Sequence, residues 1–195
     1  PRGLGWPAVT CIVGLERPEG VWIGGDSALV YNGGIETCAD PKVFTSGPFL
    51  IGHTGTPRGA QVLRYHLKCR KQQRDEEDHA YLCTAFVDEA RRAFQGAGIL
   101  RVKDEEEEHD HAWLMGYRGC LYAVYGDWQV PAVEGGWMAV GSGRDFARGA
   151  LAALEQGEAV RPEVWVLRAL RAAERCCTTV RAPFTIRDQP KVSDG

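Results

Sequence analysis

The sequence has no apolar run approaching the roughly 20 residues that carry a helix across a bilayer; its longest uninterrupted apolar stretches are a few residues. No membrane-spanning helix is expected, and a membrane is not an expected partner. No charged-then-apolar signal segment opens the chain, so the expected location is cytoplasmic. Positive charge is in short supply: 23 Lys and Arg stand against 26 Asp and Glu, a net charge of -3. That balance argues against a protein that binds DNA or RNA by neutralising phosphates. The seven cysteines, Cys11, Cys38, Cys69, Cys83, Cys120, Cys176 and Cys177, show no CxxC or zinc-ribbon spacing. They read as reduced, mostly buried small apolar residues, and no metal site is expected. Gly24-Gly25 lacks a GxGxxG context, so close sheet packing is the expected use of that pair and no cofactor is expected.

What is present suits a globular domain. The 195 residues are 44% hydrophobic and 25% charged, near soluble averages, and suffice to bury a sizeable core without disulfide or metal staples. PRGLGWPAV carries no period and reads as an irregular leader or propeptide, residues 1–9. One domain is expected over 10–188, and the polar QPKVSDG at 189–195 is expected to fray.

TCIVGLE (10–16) and GVWIGGDS (20–27) are short runs rich in Val, Ile and Trp, separated by the turn-forming Arg17-Pro18-Glu19-Gly20. They predict an antiparallel hairpin buried on both faces. Two short extended pieces follow around Gly33-Gly34, then FLIGHTG (49–55) predicts another strand. Helical spacing takes over at Leu63 and Leu67, and Cys83, Phe86, Val87, Ala90 and Phe94 trace one face of a longer helix ended by Gly96 and Gly98. AWLMGY, CLYAVYG and GWMAVG predict strands; a helix with Phe146, Ala150, Leu151 and Leu154 follows. Val166, Leu170, Ala173 and Cys177 share one face of the next helix, with Pro162 in its first turn, and APFTI (182–186) predicts a last strand. Strand runs alternating with helix pairs do not make a doubly wound parallel sheet. The expected fold is α+β: a four-layer αββα sandwich of two antiparallel sheets, each covered outside by a helix pair.

Three polar residues sit where apolar ones are expected: Thr10 opens the first strand, Asp26 ends the second, and Lys42 follows Pro41. Asp26 lies sixteen residues after Thr10, and Lys42 sixteen after Asp26. A Lys and an Asp inside such a sandwich have to pair, leaving a fixed ammonium beside the threonine hydroxyl and so an activated nucleophile. Taken one at a time, these residues read as a strand threonine, a turn aspartate and a loop lysine; their joint spacing gives the pattern its weight.

TCIVGLERPEGVWIGGDS, DPKVF and IGHTG, followed by VGSGRDFARGALAAL and AAERCCTT, resemble the N-terminal-nucleophile threonine peptidases, that is, the proteasome β-subunits and especially the bacterial HslV peptidase. The resemblance runs from Thr10 to about Ile186. It implies Thr10 as nucleophile, Lys42 lowering its hydroxyl pKa, Asp26 orienting Lys42, Ser142 hydrogen-bonding near the threonine amine, and Gly55 offering a backbone N–H to an oxyanion. It also places Glu174 near the acidic residue that supports the serine. The implied activity is hydrolysis of unfolded polypeptide through an ester on Thr10, in a homo-oligomeric ring served by an ATP-dependent unfoldase.

The base in such a mechanism is the free α-amine of the threonine, whose ordinary pKa of about 7.7–8.0 suits neutral pH. Acylated by Val9, that nitrogen is an amide and no base. The family's β-subunits cut after a glycine and HslV loses only a methionine, whereas Val9 stands here. Because GTG both encodes valine and can start translation, residues 1–8 are expected to belong to an over-long gene reading, with a methionine removed from in front of Thr10. Two other readings stay open: a non-catalytic ring-forming homologue that keeps its leader, and an amidohydrolase for a small amide. His53 is expected to be structural. His109 and His111 beside Glu105–Glu108 are expected in a solvated acidic loop rather than a metal site, and Ser142 also suits a helix N-cap.

Overall fold

The computed structural model describes residues 10–31, 34–103, 106–109, 112–155 and 160–192. In chain order, strands β1 (Cys11–Arg17), β2 (Gly20–Gly25), β3 (Ala28–Tyr31), β4 (Gly34–Thr37), β5 (Val43–Ser46) and β6 (Phe49–His53) precede helices α1 (Pro57–Tyr65), α2 (Asp78–Tyr81) and α3 (Val87–Gly96). Then come β7 (Arg101–Lys103), β8 (Glu106–Glu108), β9 (Trp113–Tyr117), β10 (Cys120–Val124) and β11 (Trp137–Gly141), followed by α4 (Arg144–Glu155), α5 (Pro162–Cys176) and β12 (Thr185–Pro190). Two four-stranded antiparallel sheets, ordered β11-β1-β2-β12 and β10-β9-β6-β5, pack face to face. Helices α4 and α5 cover the first sheet, and α1 to α3 cover the second, giving the expected αββα layers.

Side chains alternate across a strand with period two, and β1 shows what that does in a four-layer stack. Cys11, Val13 and Leu15 pack toward α4 and α5, while Ile12 enters the layer between the sheets with Ile23, Leu50 and Leu114. Both faces are therefore apolar, and the hairpin reads as a continuous hydrophobic run. Gly24 lies where α5 crosses β2: a Cβ there would sit 2.3 Å from Val166 Cγ1. The bare backbone is what lets the helix approach, as expected of the glycine pair.

Several expectations are corrected. A π-helical turn, Leu82–Phe86, joins α2 to α3; its extra residue slips the buried stripe by one position. Leu82 is buried and Cys83 exposed, while Phe86, Val87, Ala90 and Phe94 keep the expected buried face. Leu67 lies beyond α1, which is capped at His66. The last strand begins later than APFTI, at Thr185, and runs on so that Gln189 and Pro190 pair with Val21 and Gly20 instead of fraying. Of the seven free cysteines only Cys11 is buried, with Cys83 and Cys176 exposed and the rest intermediate. Within the acidic run, Glu106–Glu108 form a ladder with Arg101–Lys103, setting Glu106 opposite Lys103 in register. His109 is buried against Trp113 and Trp128, with ring centroids at 4.5 and 4.4 Å. His111 and Glu105 lie outside the described residues.

Candidate active site

The β1–β2 hairpin brings Thr10 and Asp26 to one end of the first sheet. Its register pairs Ile12 with Gly25, and Asp26 N–H continues the ladder to Cys11 O at 3.3 Å. Lys42 arrives from the second sheet, just before β5, held by the N–H of His53 donating to its carbonyl at 2.9 Å. The site thus forms where the two sheets meet at their ends, from segments that no local pattern joins.

Lys42 Nζ donates to Thr10 Oγ1 at 2.9 Å and to Asp26 Oδ1 at 2.9 Å. Thr10 is fully buried, and the Lys42 and Asp26 side chains are 14% and 0% exposed. Asp26 is more than a counter-ion. Its Oδ1 also accepts from Cys11 N–H at 3.0 Å, and Oδ2 accepts from the N–H groups of Ala28 at 2.9 Å and Arg181 at 3.4 Å. Those bonds fix the carboxylate, which in turn fixes the ammonium against the hydroxyl. Burial pulls Lys42 below the ordinary lysine range, while Asp26 opposes that pull. The Cys11 thiol next door is pushed up to about 12 by burial and by Asp26; it stays a neutral spacer.

Ser142 stands in the turn between β11 and α4. Its Oγ accepts from Thr10 N–H at 3.2 Å and bonds Thr10 O at 3.2 Å. Gly141 makes this approach possible: its φ is +94°, and a Cβ there would fall 2.2 Å from Thr10 O. Sequence reasoning missed Thr179, whose Oγ1 lies 2.7 Å from Ser142 Oγ, and Cys177, whose Sγ is 3.1 Å from Thr179 Oγ1. The one signal for Thr179 was the threonine pair closing AAERCCTT, whereas Cys177 reads from the sequence as part of an apolar helix face. Glu174, expected to support the serine, instead accepts from Ala182 N–H at 2.8 Å. It sits near the end of α5, and Thr179, in the turn just beyond that helix, is the residue that reaches Ser142.

Gly55, with φ +105°, lines a cleft of about 290 Å³ together with Lys42. Ala28, Val30, Phe44 and Ala60 contribute apolar lining, and Asp40 and Arg64 add charges. His53 also borders the cleft and is buried with its ring 5.7 Å from that of Trp113. Among the described residues no group of three or more His, Cys, Asp or Glu is placed to hold a metal ion, and no helix is long and apolar enough to cross a membrane.

Solved structures match this architecture over nearly the whole chain. BPH from Thiobacillus denitrificans aligns with a TM-score of 0.81 at 17% identity, over 94% of this chain and 100% of its own. The same protein in complex with epoxomicin aligns at 0.78. HslV from Trypanosoma brucei aligns at 0.64 with 18% identity, over 91% of this chain and 98% of its own. The fold is proteasome-like. Anbu, an ancestral beta-subunit from Yersinia bercovieri, aligns at 0.64 with 12% identity, over 92% and 81% of the two chains. No family model matches the sequence. The proteasome-like fold accounts for the two-sided burial of β1 and β2, since each sheet of such a sandwich meets the other sheet on one face and helices on the other.

Proposed function

We propose that the chain is a subunit of a threonine-type endopeptidase in which Thr10 is the nucleophile once its α-amine is free. The observation that carries this reading is the ammonium of Lys42, 2.9 Å from both Thr10 Oγ1 and Asp26 Oδ1. A positive charge at that distance lowers the cost of an alkoxide in a site sheltered from water. In the reaction the free amine takes the Oγ1 proton as oxygen attacks the scissile carbonyl, and a backbone N–H such as that of Gly55 receives the developing negative charge. The C–N bond then breaks, the proton leaves with the departing amine, and water hydrolyses the ester on Thr10. The largely apolar cleft beside Lys42 suits a polypeptide segment with an apolar side chain.

The proteasome-like fold supports a ring of identical subunits, an ATP-dependent unfoldase as partner and a cytoplasmic setting. Epoxomicin, bound by the structurally similar Thiobacillus denitrificans protein, is the natural probe of the nucleophile. A protein translated from a methionine directly before Thr10 should lose that methionine, cleave fluorogenic peptides and be labelled by epoxomicin. The full chain carrying 1–9 should do neither until the leader is cut, with intact mass reporting the first residue. One observation favours a second reading: Val9 precedes Thr10, and a retained leader would make this a non-catalytic ring subunit. Inactivity of the short protein, with Thr10 confirmed as its first residue, would select that subunit over the enzyme. Cleavage of small amides but not peptides would select an amidohydrolase.

A further inference from the structure

Strand β6 ends at His53, paired with Trp113 of β9, and the next two residues keep the strands in contact in an altered way. Thr54 N–H donates to Ala112 O at 3.3 Å, as the ladder requires. In an ordinary antiparallel pair the return bond runs from the facing N–H to the backbone carbonyl of the same residue. Here Ala112 N–H donates to the Thr54 hydroxyl at 3.3 Å, and that hydroxyl donates to Ala112 O at 2.7 Å. A side-chain oxygen stands where a backbone oxygen belongs.

A carbonyl and the N–H of the following residue share one planar unit and point opposite ways, so whatever holds the Thr54 carbonyl also aims the Gly55 N–H. With Ala112 N–H satisfied by the hydroxyl, the ladder makes no claim on that carbonyl, and the peptide is released at the edge of the cleft. Gly55 follows with φ +105°, a backbone that glycine adopts without strain. The chain then enters α1, where Thr56 Oγ1 accepts from Gly59 N–H at 3.3 Å. Thr54 has little room to turn its side chain elsewhere. It is 2% exposed, and its Cγ2 lies 3.3 Å from the point where a Cβ on Gly141 would stand.

Resting on the threonine-peptidase reading, in which the Gly55 N–H receives the negative charge of the tetrahedral intermediate, we propose that Thr54 is a positioning residue for that N–H. Its hydroxyl substitutes for its own carbonyl in the β6–β9 ladder, which keeps the Thr54–Gly55 peptide out of the ladder and its N–H available to the oxyanion. Valine has the same shape and no acceptor. It leaves Ala112 N–H to recover the backbone carbonyl, and drawing that carbonyl toward β9 carries the Gly55 N–H away with it.

The test uses a protein whose first residue is Thr10. In Thr54→Val we expect kcat to fall roughly a hundredfold, the lower end of what one oxyanion donor contributes, with KM unchanged. Thr54→Ser keeps the hydroxyl and should retain most of the turnover. A peptide aldehyde separates positioning from a merely structural role. Thr10 Oγ1 adds to the aldehyde carbon, the Oγ1 proton passes to the α-amine, and the former carbonyl oxygen carries the negative charge into the oxyanion position. Its affinity should weaken in Thr54→Val by the same factor as kcat/KM, while the matching peptide alcohol, which forms no adduct, should bind as it does to the parent. Equal weakening of both ligands would mean a damaged cleft and overturn the assignment, as would unchanged kcat and aldehyde affinity. A second measurement needs no turnover: in crystal structures of parent and Thr54→Val, Ala112 N–H should move from the side-chain hydroxyl to the backbone carbonyl of position 54, with the following peptide rotated. An unrotated peptide refutes the proposal. A parent that hydrolyses no peptide would fail the threonine-peptidase reading alone, leaving the orientation of that peptide to decide the positioning.

Discussion

Replacing Lys42 with methionine tests the site through stability as well as activity. Lys42→Met keeps the stem and deletes the ammonium, leaving the Asp26 carboxylate, 0% exposed, without the Nζ partner at 2.9 Å. Breaking one side of a buried ion pair costs about 3–5 kcal/mol, because an uncompensated charge stays behind. Asp26 keeps its three backbone donors, from Cys11, Ala28 and Arg181, which places the loss at the lower end, about 3 kcal/mol. For a chain of this size each kcal/mol moves the midpoint by about 2–4 °C, so the melting temperature should fall by roughly 6–12 °C. Calorimetry at matched protein concentration is the assay, since association of copies would make the midpoint concentration-dependent. The Asp26→Asn variant completes a double-mutant cycle: the amide turns one accepting oxygen into a donor, and the two losses should fall short of additivity by about 1 kcal/mol or more. Peptidase turnover should be lost in both single variants. A Lys42→Met protein that melts within about 1 °C of the parent and turns over normally would refute both the pairing and its role.

Three further outcomes are expected. Thr10→Ala trims a small side chain at a strand end, so assembly measured by light scattering should persist while peptide turnover and epoxomicin labelling vanish. Gly24→Ala puts a methyl 2.3 Å from Val166 Cγ1 and 3.0 Å from Leu170 Cδ1. Forcing α5 outward should cost about 1–3 kcal/mol, read from the denaturant midpoint. Limiting alkylation mapped by mass should modify Cys177 well before Cys11 at neutral pH. The Cys177 thiol lies below its ordinary value of 9.0, so its thiolate forms at lower pH, whereas Cys11 is pushed up to about 12 and is buried.

The layer architecture was legible in the sequence because two-sided burial leaves a mark along each strand: Cys11 to Leu15 and Val21 to Ile23 are apolar at every position that carries a side chain. The trio Thr10, Asp26 and Lys42 was legible for the complementary reason, being polar residues at the ends of such runs, sixteen residues apart. Ser142 entered through the resemblance that Gly141-Ser142-Gly143 carries, and Gly141 leaves room for its approach to Thr10. The phase of the helix before Val87 was misread at Cys83 because a π turn adds a residue that no hydropathy period announces.

Local pattern determines which face of a segment is apolar and where a turn must fall, and from the chain alone that yields the sheets, the helix pairs and the odd polar residues. Distances between segments belong to the tertiary structure. Thr179 meets Ser142 across 37 residues only because α4 and α5 run out and back over the first sheet, and Glu174 turns to Ala182 because of where it falls on α5. Asp26 gathers three N–H groups from β1, β3 and the segment before β12, a convergence that depends on strands far apart in sequence lying side by side. Periodicity reports contacts within a few residues, whereas a buried charge is stabilised by whatever the packing of whole layers brings to it.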